Sequence, residues 1–338
     1  METKYQPKDY KSTNAVRWCP GCGDFAVLNC IHKAMAELNI EPHETAVISG
    51  IGCSSRLPYY MNTYGFHGIH GRACAIATGV KAANPKLSVW VATGDGDALA
   101  IGGNHFIHTV RRNVDINIVL LNNKIYGLTK GQYSPTTDRG FISKSSPYGT
   151  TEEPFCPAEL SFGSRGRFFG RALDNDLKNQ TEVMVAAGKH KGTSVVEVLA
   201  NCVIFNDGVH DALTDKETKA DNTITLKQGE KMVFGKENNK GLVLDGWHLK
   251  VVTIGEGGYT LDDVLVHDAT TPDNTLHLKL AKMELKDGFP VALGVIRNAP
   301  EISYDEALEK QIAAAIGNKP KKSFRELMLG MPNVWEVK

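Results

Sequence analysis

The sequence lacks any imbalance of charge: its 338 residues carry 38 Lys and Arg against 38 Asp and Glu. A neutral chain has no global field that attracts nucleic acid or an anionic membrane, so we expect neither as a partner. It also lacks an apolar run of about 18 residues, the length that a membrane-spanning helix needs. Because the opening residues lack the apolar core of a signal peptide, we expect a cytoplasmic protein.

Internal repeats and low-complexity tracts are also missing, and the composition is that of an ordinary globular protein, 42% hydrophobic and 22% charged. Short apolar runs alternate with stretches of helical spacing through the first 200 or so residues. The predicted strands are 45–49, 87–93, 116–121 and 194–199, and the predicted helices are 23–38, 70–83 and 97–112. This alternation predicts an α/β fold, with a mostly parallel sheet covered by helices on both faces.

The chain changes character after these elements. Residues 129–157 are polar and rich in Gly, Ser, Thr and Pro, and a loop of this length inside a compact domain is usually functional. Beyond about residue 205, short apolar runs at 223–226, 232–234 and 250–254 predict strands separated by turns. We therefore expect a domain at 1–204 that carries the chemistry. A smaller C-terminal extension of mixed α+β structure follows at 205–338.

Seven cysteines occur in the chain, and the reducing cytoplasm disfavours structural disulfides between them. Cys30 and Cys74 lie in apolar surroundings, where a cysteine usually serves as a small core residue. Cys156 lies in a loop-like stretch beside two prolines. These three are not expected to bind a ligand.

The other four cysteines, Cys19, Cys22, Cys53 and Cys202, form a candidate metal site. A Cys-Pro-Gly-Cys turn directs two thiolates at one metal centre, and two distant cysteines can complete the ligands of a [4Fe–4S] cluster. The spacing fits a structural zinc ion equally well. A thioredoxin-like dithiol is a third option, but such a motif follows a strand, and no strand is predicted before Trp18.

The run Gly94-Asp-Gly-Asp97 follows a predicted strand and opens a predicted helix. Gly94 and Gly96 allow a ligand to approach the backbone closely, and the start of a helix offers N–H groups to phosphate. Asp95 supplies a hard oxygen ligand for Mg²⁺. Asn123 follows the next strand and reaches the same edge of the sheet, and the carbonyl of Ile125 extends the set. A lone Gly-Asp-Gly is common in turns, but this context favours a metal–diphosphate site.

These residues resemble the thiamine diphosphate enzymes, whose metal signature is Gly-Asp-Gly followed at this spacing by Asn-Asn. Several blocks, in this order, resemble the β subunits of 2-oxoacid:ferredoxin oxidoreductases: Arg17-Trp-Cys-Pro-Gly-Cys-Gly23, Gly50-Ile-Gly-Cys-Ser-Ser-Arg-Leu-Pro58, His67-Gly-Ile-His-Gly-Arg72 and Gly94-Asp-Gly-Asp97. The resemblance extends through residues 121–132 to Cys202 and covers about the first 205 residues. It implies the thiamine diphosphate-binding fold, in its diphosphate-binding half.

The resemblance also implies roles for individual residues. Cys19, Cys22, Cys53 and Cys202 would hold a [4Fe–4S] cluster, and Asp95, Asn123 and the Ile125 carbonyl would hold Mg²⁺. Thiamine diphosphate would be lined by Ile51, Gly52, Cys53, Ser54, His70 and Gly71, with Gly94, Gly96, Asp97, Gly127 and Leu128 as the diphosphate cradle. An isolated histidine such as His70 is more often a satisfied loop residue, and that alternative stays open.

The substrate implied is 2-oxoglutarate, because residues 126–132 resemble the 2-oxoglutarate enzymes more than the pyruvate enzymes. A 2-oxo dicarboxylate needs a cation for its distal carboxylate, and we predict Arg56 and Lys130 for this role, with His70 as a further catalytic candidate. The family implies coenzyme A as co-substrate, ferredoxin as electron acceptor, and an α subunit that completes the coenzyme site. The alternatives are pyruvate or another 2-oxo acid as substrate and, in another class, a non-catalytic zinc-binding scaffold.

Overall fold

The structure is a computed structural model that describes residues 4–317, 322–330, 334–335 and 337. Within these residues the strands are β1 (Thr45–Ser49), β2 (Tyr64–His67), β3 (Ser88–Gly94), β4 (Asn117–Asn122), β5 (Phe168–Leu173), β6 (Ser194–Leu199), β7 (Thr223–Leu226), β8 (Val233–Phe234), β9 (Lys240–Asp245), β10 (His248–Thr253) and β11 (Val291–Asn298). The α-helices are α1 (Asp24–Leu38), α2 (Ala73–Ala83), α3 (Asp95–Leu99), α4 (Gly103–Arg112), α5 (Pro157–Gly163), α6 (Leu177–Lys189), α7 (Asp211–Thr214), α8 (Lys219–Asn222), α9 (Thr275–Ala281), α10 (Tyr304–Ile316) and α11 (Phe324–Leu329). Short 3₁₀ helices cover Pro7–Tyr10, Pro42–Glu44, Ser54–Tyr60, Leu261–Asp263 and Leu285–Asp287.

The main sheet has eight strands in the described part of the chain, in the order β2-β1-β3-β4-β6-β5-β11-β7. Neighbouring strands pair in parallel except β5 and β11, which run antiparallel. The predicted α/β class with a mostly parallel sheet is therefore confirmed. Parallel neighbours need crossover connections, and the helices that provide them cover the two faces of the sheet.

Alternate residues of the central strands enter two different cores, as the two-residue period of a strand requires. Val91 and Ile118 pack with residues of α2, α4 and α5 on one face. Their neighbours Trp90 and Val119 pack with α1 and α6 on the other face. Because both faces are covered, the central strands are apolar at nearly every position, and this made them visible in the sequence.

One predicted helix is interrupted. We expected a continuous helix over 97–112, but the structure has α3 and α4 with a break at Ala100–Gly102. At the break the chain approaches Gly71 so closely that a Cβ at Gly71 would lie 2.7 Å from the Gly102 nitrogen. Gly71 itself has φ +73°, which is not helical, and α2 therefore begins at Ala73 and not at His70.

The residues beyond 204 contribute to both sheets. β7 and β11 complete one end of the main sheet, and β8, β9 and β10 form a separate antiparallel sheet. The division at 204/205 stays a prediction, and two strands from beyond it belong to the main sheet. Among the described residues, no helix has the length and apolarity required to cross a membrane.

Four neighbouring strands of the main sheet, β1, β3, β4 and β6, run in parallel and end at the same edge. The segment that follows each of these strands carries one group of the predicted site residues. These groups are 51–54, 95–97, 123–128 and Cys202. The topology thus gathers at one edge residues that are far apart in the sequence.

Candidate active site at the carboxyl edge of the sheet

A cavity opens at this edge, and its lining contains most of the residues predicted from the sequence. The predicted residues that line it are Ile51, Gly52, Cys53, Ser54, Gly94, Asp95, Gly96, Asp97, Asn123, Ile125, Gly127 and Leu128, and the remaining lining residues are Asp24, Leu121 and Tyr126. The side chains and backbone groups that were expected to bind a coenzyme diphosphate therefore share one space. Their assignment to that ligand stays a prediction.

Asp95 is buried at the N-terminal end of α3. Its Oδ2 accepts hydrogen bonds from the hydroxyl groups of Ser134 and Thr136, the latter at 2.6 Å. Burial raises the pKa of this carboxyl, and the two hydroxyl donors oppose the shift without cancelling it. A bound cation would stabilise the ionised form, so a buried carboxylate with this environment suits a hard metal ion such as Mg²⁺.

The turn after β4 carries the other two predicted metal ligands. Lys124 adopts φ +53°, a left-handed conformation that reverses the chain between Asn123 and Ile125. The Asn123 side-chain oxygen accepts a hydrogen bond from the Ile125 backbone N–H at 3.2 Å. The Asn123 carbonyl accepts one from the side chain of Asn206 at 2.9 Å. The turn is therefore fixed from both sides, and an amide oxygen has a second lone pair free for a cation.

Asp97 ties two loops and strand β3 together at the rim of the cavity. Its Oδ1 accepts hydrogen bonds from the backbone N–H of Ile51 at 3.0 Å and of Gly71 at 2.7 Å. The same oxygen lies 2.7 Å from His70 Nδ1, and Oδ2 accepts a bond from Thr93 Oγ1 at 2.7 Å. The carboxylate thus holds the loops that carry the predicted coenzyme-lining residues.

His70 and Gly71 contact Asp97 but are not among the residues that line the cavity. Because the carboxylate can only accept, His70 Nδ1 donates to it, which leaves Nε2 as an acceptor in the neutral ring. The imidazole is 37% exposed and packs edge-on against Tyr126, with ring centroids 6.2 Å apart. The predicted catalytic and coenzyme-binding roles of His70 stay predictions.

Sequence reasoning missed Tyr126, Asp24, Ser134 and Thr136. Tyr126 packs on Gly96, where a side chain would overlap its ring, and its hydroxyl donates to the Gly96 carbonyl at 3.0 Å. Burial, assisted by Asp95 and Asp97, raises the pKa of Tyr126 to about 12. The available signals were the position of Tyr126 inside the Asn123–Gly127 segment and the hydroxyl-rich composition of the 129–157 loop.

The four candidate cysteines lie close together, and no disulfide joins any cysteine in the described chain. Cys19 and Cys22 are joined by a tight turn, with a hydrogen bond from Cys22 N–H to the Cys19 carbonyl at 3.0 Å. A Cβ placed on Gly127 would lie 3.5 Å from Cys202 Sγ and 3.7 Å from Cys53 Sγ. Those two sulfurs therefore flank one glycine of the cavity wall.

Thiol pKa values also report this proximity. Burial, with smaller contributions from the neighbouring Asp24, Cys202 and Cys19 and an opposing one from Arg56, raises the pKa of Cys53 to about 11. The pKa of Cys22 is raised by burial first, and Asp24, Cys202 and Cys53 add to the shift. Burial therefore favours the neutral thiols over free thiolates. A metal centre bonded to the sulfur atoms would stabilise the thiolates.

Arg56 and Lys130 lie outside the cavity. Arg56 donates to the Arg17 carbonyl at 2.9 Å and lines a separate open pocket with Asn14, Arg17 and Tyr59. Lys130 is exposed on the turn after Gly127, with φ +69°. The structure of this chain does not bring the two predicted substrate cations together with the residues around Asp95.

Comparisons with known proteins agree with this geometry. Residues 50–198 match the family model described as thiamine pyrophosphate enzyme, C-terminal TPP binding domain. The chain is 47% identical over 313 residues to 2-oxoglutarate oxidoreductase subunit KorB of Mycobacterium tuberculosis, a match that covers 93% of this chain and 83% of the relative. This chain belongs to the 2-oxoacid:ferredoxin oxidoreductase family, as a β subunit.

Two further members of the 2-oxoacid:ferredoxin oxidoreductase family extend the comparison. The β subunit of 2-oxoacid:ferredoxin oxidoreductase 1 from Aeropyrum pernix is 50% identical over 190 residues, which cover 56% of this chain and 60% of that one. The solved 2-oxoglutarate:ferredoxin oxidoreductase from Magnetococcus marinus, with 2-oxoglutarate, coenzyme A and succinyl-CoA bound, matches with TM-score 0.77 and 32% identity over 97% of each chain. The family predicted from the sequence motifs is confirmed, and the likeness continues beyond residue 205.

The residues of this β subunit fit the groups that its family implies. Gly96 has no room for a side chain, and Asp95 offers a buried hard oxygen, as a Mg²⁺–diphosphate site requires. In the described parts of the chain, no three His, Cys, Asp or Glu side chains converge closely enough for a single metal ion. A cluster bonds each cysteine to a different iron, so its sulfurs stand further apart than those around zinc. The assignment of the four thiols to a [4Fe–4S] cluster stays a prediction.

Proposed function

We propose that this chain is the β subunit of a 2-oxoglutarate:ferredoxin oxidoreductase. The enzyme converts 2-oxoglutarate and coenzyme A into succinyl-CoA, CO₂ and a proton, and passes the two electrons released to ferredoxin. The observation that carries the proposal is the single cavity that joins the predicted diphosphate residues to Cys53. The near full-length similarity to a 2-oxoglutarate oxidoreductase subunit supports the choice of substrate.

Asp95, Asn123 and the Ile125 carbonyl hold Mg²⁺ in this proposal, and Gly94, Gly96, Gly127 and Leu128 receive the coenzyme diphosphate. Bound thiamine diphosphate supplies the carbon centre that accepts the electron pair when CO₂ leaves. The protein contributes placement: Asp97 fixes the Ile51 and Gly71 loops, and Tyr126 closes the wall behind Gly96.

The four cysteines hold a [4Fe–4S] cluster, which supplies one-electron transfer. Cys53 lies between Gly52 and Ser54, and all three residues line the cavity. The sulfur that binds iron is thus one residue away from backbone that faces the coenzyme. A cluster bound by Cys53 would therefore be placed beside the coenzyme cavity, where it could accept electrons.

Arg56 and Lys130 hold the substrate carboxylates in this proposal. Neither residue takes part in an ion pair in the described part of the chain, so both guanidinium and ammonium charges are available to an anion. Because both lie outside the cavity, their role depends on how the α subunit closes the site around the substrate.

The active enzyme contains an α subunit, as the names of the relatives as subunits support. In thiamine enzymes a second domain binds the aminopyrimidine ring, and this chain supplies the diphosphate half. We therefore expect the purified β subunit alone to decarboxylate no 2-oxo acid. Restoration of turnover on adding the α subunit is the positive control, and unaided turnover by β would contradict the proposal. A cytoplasmic location is part of the proposal, supported by seven free cysteines.

The decisive experiment is an anaerobic assay of the αβ complex with coenzyme A and methyl viologen. We expect 2-oxoglutarate to give the highest kcat/KM in a panel that also contains pyruvate and branched-chain and aryl 2-oxo acids. A higher kcat/KM for another 2-oxo acid would contradict the choice of 2-oxoglutarate and identify a different member of the same enzyme family. Colourless protein that contains zinc and no acid-labile sulfide would instead support the scaffold alternative.

A further inference from the structure

A chain of buried hydrogen bonds runs from Asp95 into the interior of the sheet. The Thr136 hydroxyl lies 2.6 Å from Asp95 Oδ2 and 2.9 Å from the side-chain oxygen of Asn122. Thr136 belongs to the long polar loop, and Asn122 is the last residue of β4. The hydroxyl has one proton and both partners are acceptors, so this proton is shared between the predicted metal carboxylate and the residue that begins the turn carrying Asn123.

The chain continues from Asn122 through two more strands. Asn122 Nδ2 donates to Glu197 Oε1 at 2.8 Å, and Arg171 Nε donates to Glu197 Oε2 at 2.7 Å. Both terminal nitrogens of Arg171 lie 3.2 Å from the Ala281 carbonyl. Glu197 lies on β6 and Arg171 on β5, directly opposite each other in the parallel ladder.

All these side chains are at most 5% exposed. An ion pair in such a position is weak evidence for stability, because apolar residues of similar volume often serve a core equally well. A buried polar network in which each group has a partner does restrict the orientation of those groups. The network ends at Asp95 and at the Asn122–Asn123 turn, so the orientation it restricts is that of the predicted metal ligands.

We propose that Thr136 and Glu197 are positioning residues for the Mg²⁺–diphosphate site. Thr136 lies between the Asp95 carboxylate and the Asn122–Asn123 turn and orients both. Glu197, whose charge is paired with that of Arg171, orients the same turn by accepting a hydrogen bond from Asn122 Nδ2. This inference rests on the proposed function, since it concerns the metal site of the same enzyme. Neither residue lines the cavity, and both would act through Asp95 and Asn123, which do.

The first test replaces Thr136 in the αβ complex. Thr136→Val removes the hydroxyl and keeps the shape, Thr136→Ser restores a hydroxyl, and Thr150→Val removes a buried hydroxyl of the same loop that donates to the Asp138 carbonyl. Calorimetric titration of coenzyme-free complex with thiamine diphosphate, at several Mg²⁺ concentrations, gives the apparent affinity for Mg²⁺. We expect Thr136→Val to weaken it about 10–100-fold, as is typical for groups behind metal ligands.

The expected pattern has two further parts. Thr136→Ser should recover most of the Mg²⁺ affinity, and Thr150→Val should leave it at the wild-type value. The thermal midpoint of the coenzyme-free complexes measures any general loss of stability, which we expect in the Thr150 control as well. A loss of Mg²⁺ affinity is expected only in Thr136→Val. Wild-type Mg²⁺ affinity in Thr136→Val would overturn this inference and leave the proposed function intact. Wild-type complex that binds no thiamine diphosphate would overturn both.

The second test concerns Glu197 and avoids leaving a buried charge without its partner. Arg171→Met/Glu197→Gln and Arg171→Met/Glu197→Leu both remove the ion pair, but only the Gln variant keeps an acceptor for Asn122 Nδ2. We expect the Leu variant to bind Mg²⁺ at least tenfold more weakly than the Gln variant. Equal affinities of the two folded variants would overturn the role of Glu197.

Discussion

Asp97 offers the sharpest test of how the site is built, because one carboxylate accepts four hydrogen bonds. Three N–H donors, from Ile51, Gly71 and His70, reach Oδ1, and the Thr93 hydroxyl reaches Oδ2. In Asp97→Asn the amide oxygen can keep the three N–H donors, and the hydroxyl can rotate to accept from the new NH₂ group. The three N–H bonds then have a neutral acceptor, at a cost of about 1 kcal/mol each, or about 3 kcal/mol in all.

Asp97→Ala removes every acceptor. The buried N–H of Gly71 and the partly buried N–H of Ile51 lose their partner, each at about 1–3 kcal/mol, and the two loops lose their common anchor. We expect thiamine diphosphate affinity to fall in the order wild type, Asp97→Asn, Asp97→Ala, with the Ala variant weaker than wild type by about 100-fold or more. The assay is calorimetric titration of the coenzyme-free αβ complex with thiamine diphosphate and saturating Mg²⁺.

Asp305→Asn is the matched control for Asp97. This residue is also buried, and its carboxylate accepts from the Asp115 N–H and the Ser303 hydroxyl, away from the cavity. The control should lower the thermal midpoint of the complex and leave coenzyme affinity unchanged. Wild-type coenzyme affinity in Asp97→Ala would refute the reasoning that this carboxylate assembles the site.

Three other predictions concern the cluster, the substrate and acid stability. Cys202→Ser should lose most iron and acid-labile sulfide while thiamine diphosphate still binds, whereas the control Cys156→Ser should keep the cluster. If Cys202→Ser stays brown and still transfers electrons, Cys202 is not a ligand of the cluster. Arg56→Ala should raise KM for 2-oxoglutarate about 10–100-fold with little change in kcat, since a charge-assisted bond contributes about 1.5–3 kcal/mol, and unchanged turnover would remove Arg56 from substrate binding. Burial lowers the pKa of His32 to about 4, so the folded state disfavours its protonation and stability falls as the pH drops from about 6.5 towards 4. His32→Leu should flatten that part of the pH–stability curve measured by thermal unfolding, and an equally steep curve would exclude His32 as the cause.

The fold was predictable where burial is two-sided. β1 and β6 coincide with the predicted runs, because their residues are apolar on both faces of the sheet. β5 was missed because its short run contains Gly170 and Arg171, and the buried arginine is explained only by Glu197 on the neighbouring strand. The break between α3 and α4 was also hidden, since it depends on the distant Gly71.

The site was predictable where a residue type and its position after a strand both carry meaning. Asp95 and Asn123 met both conditions, since each follows a strand and offers a hard oxygen. Ser134 and Thr136 met neither condition, because hydroxyl residues are common in loops and their contact with Asp95 spans about 40 positions. The Glu197 connection was equally hidden, since a glutamate within an apolar strand has no local partner.

The most direct test of the central claim follows the electrons from the cavity to the cysteines. Anaerobic αβ complex, mixed with 2-oxoglutarate and coenzyme A without an external acceptor, should develop the electron paramagnetic resonance signal of a reduced [4Fe–4S] cluster. Omitting coenzyme A or replacing Asp95 by Ala should greatly diminish that signal. A complex that contains no iron–sulfur cluster, or a cluster that stays oxidised in the presence of both substrates, would contradict the account.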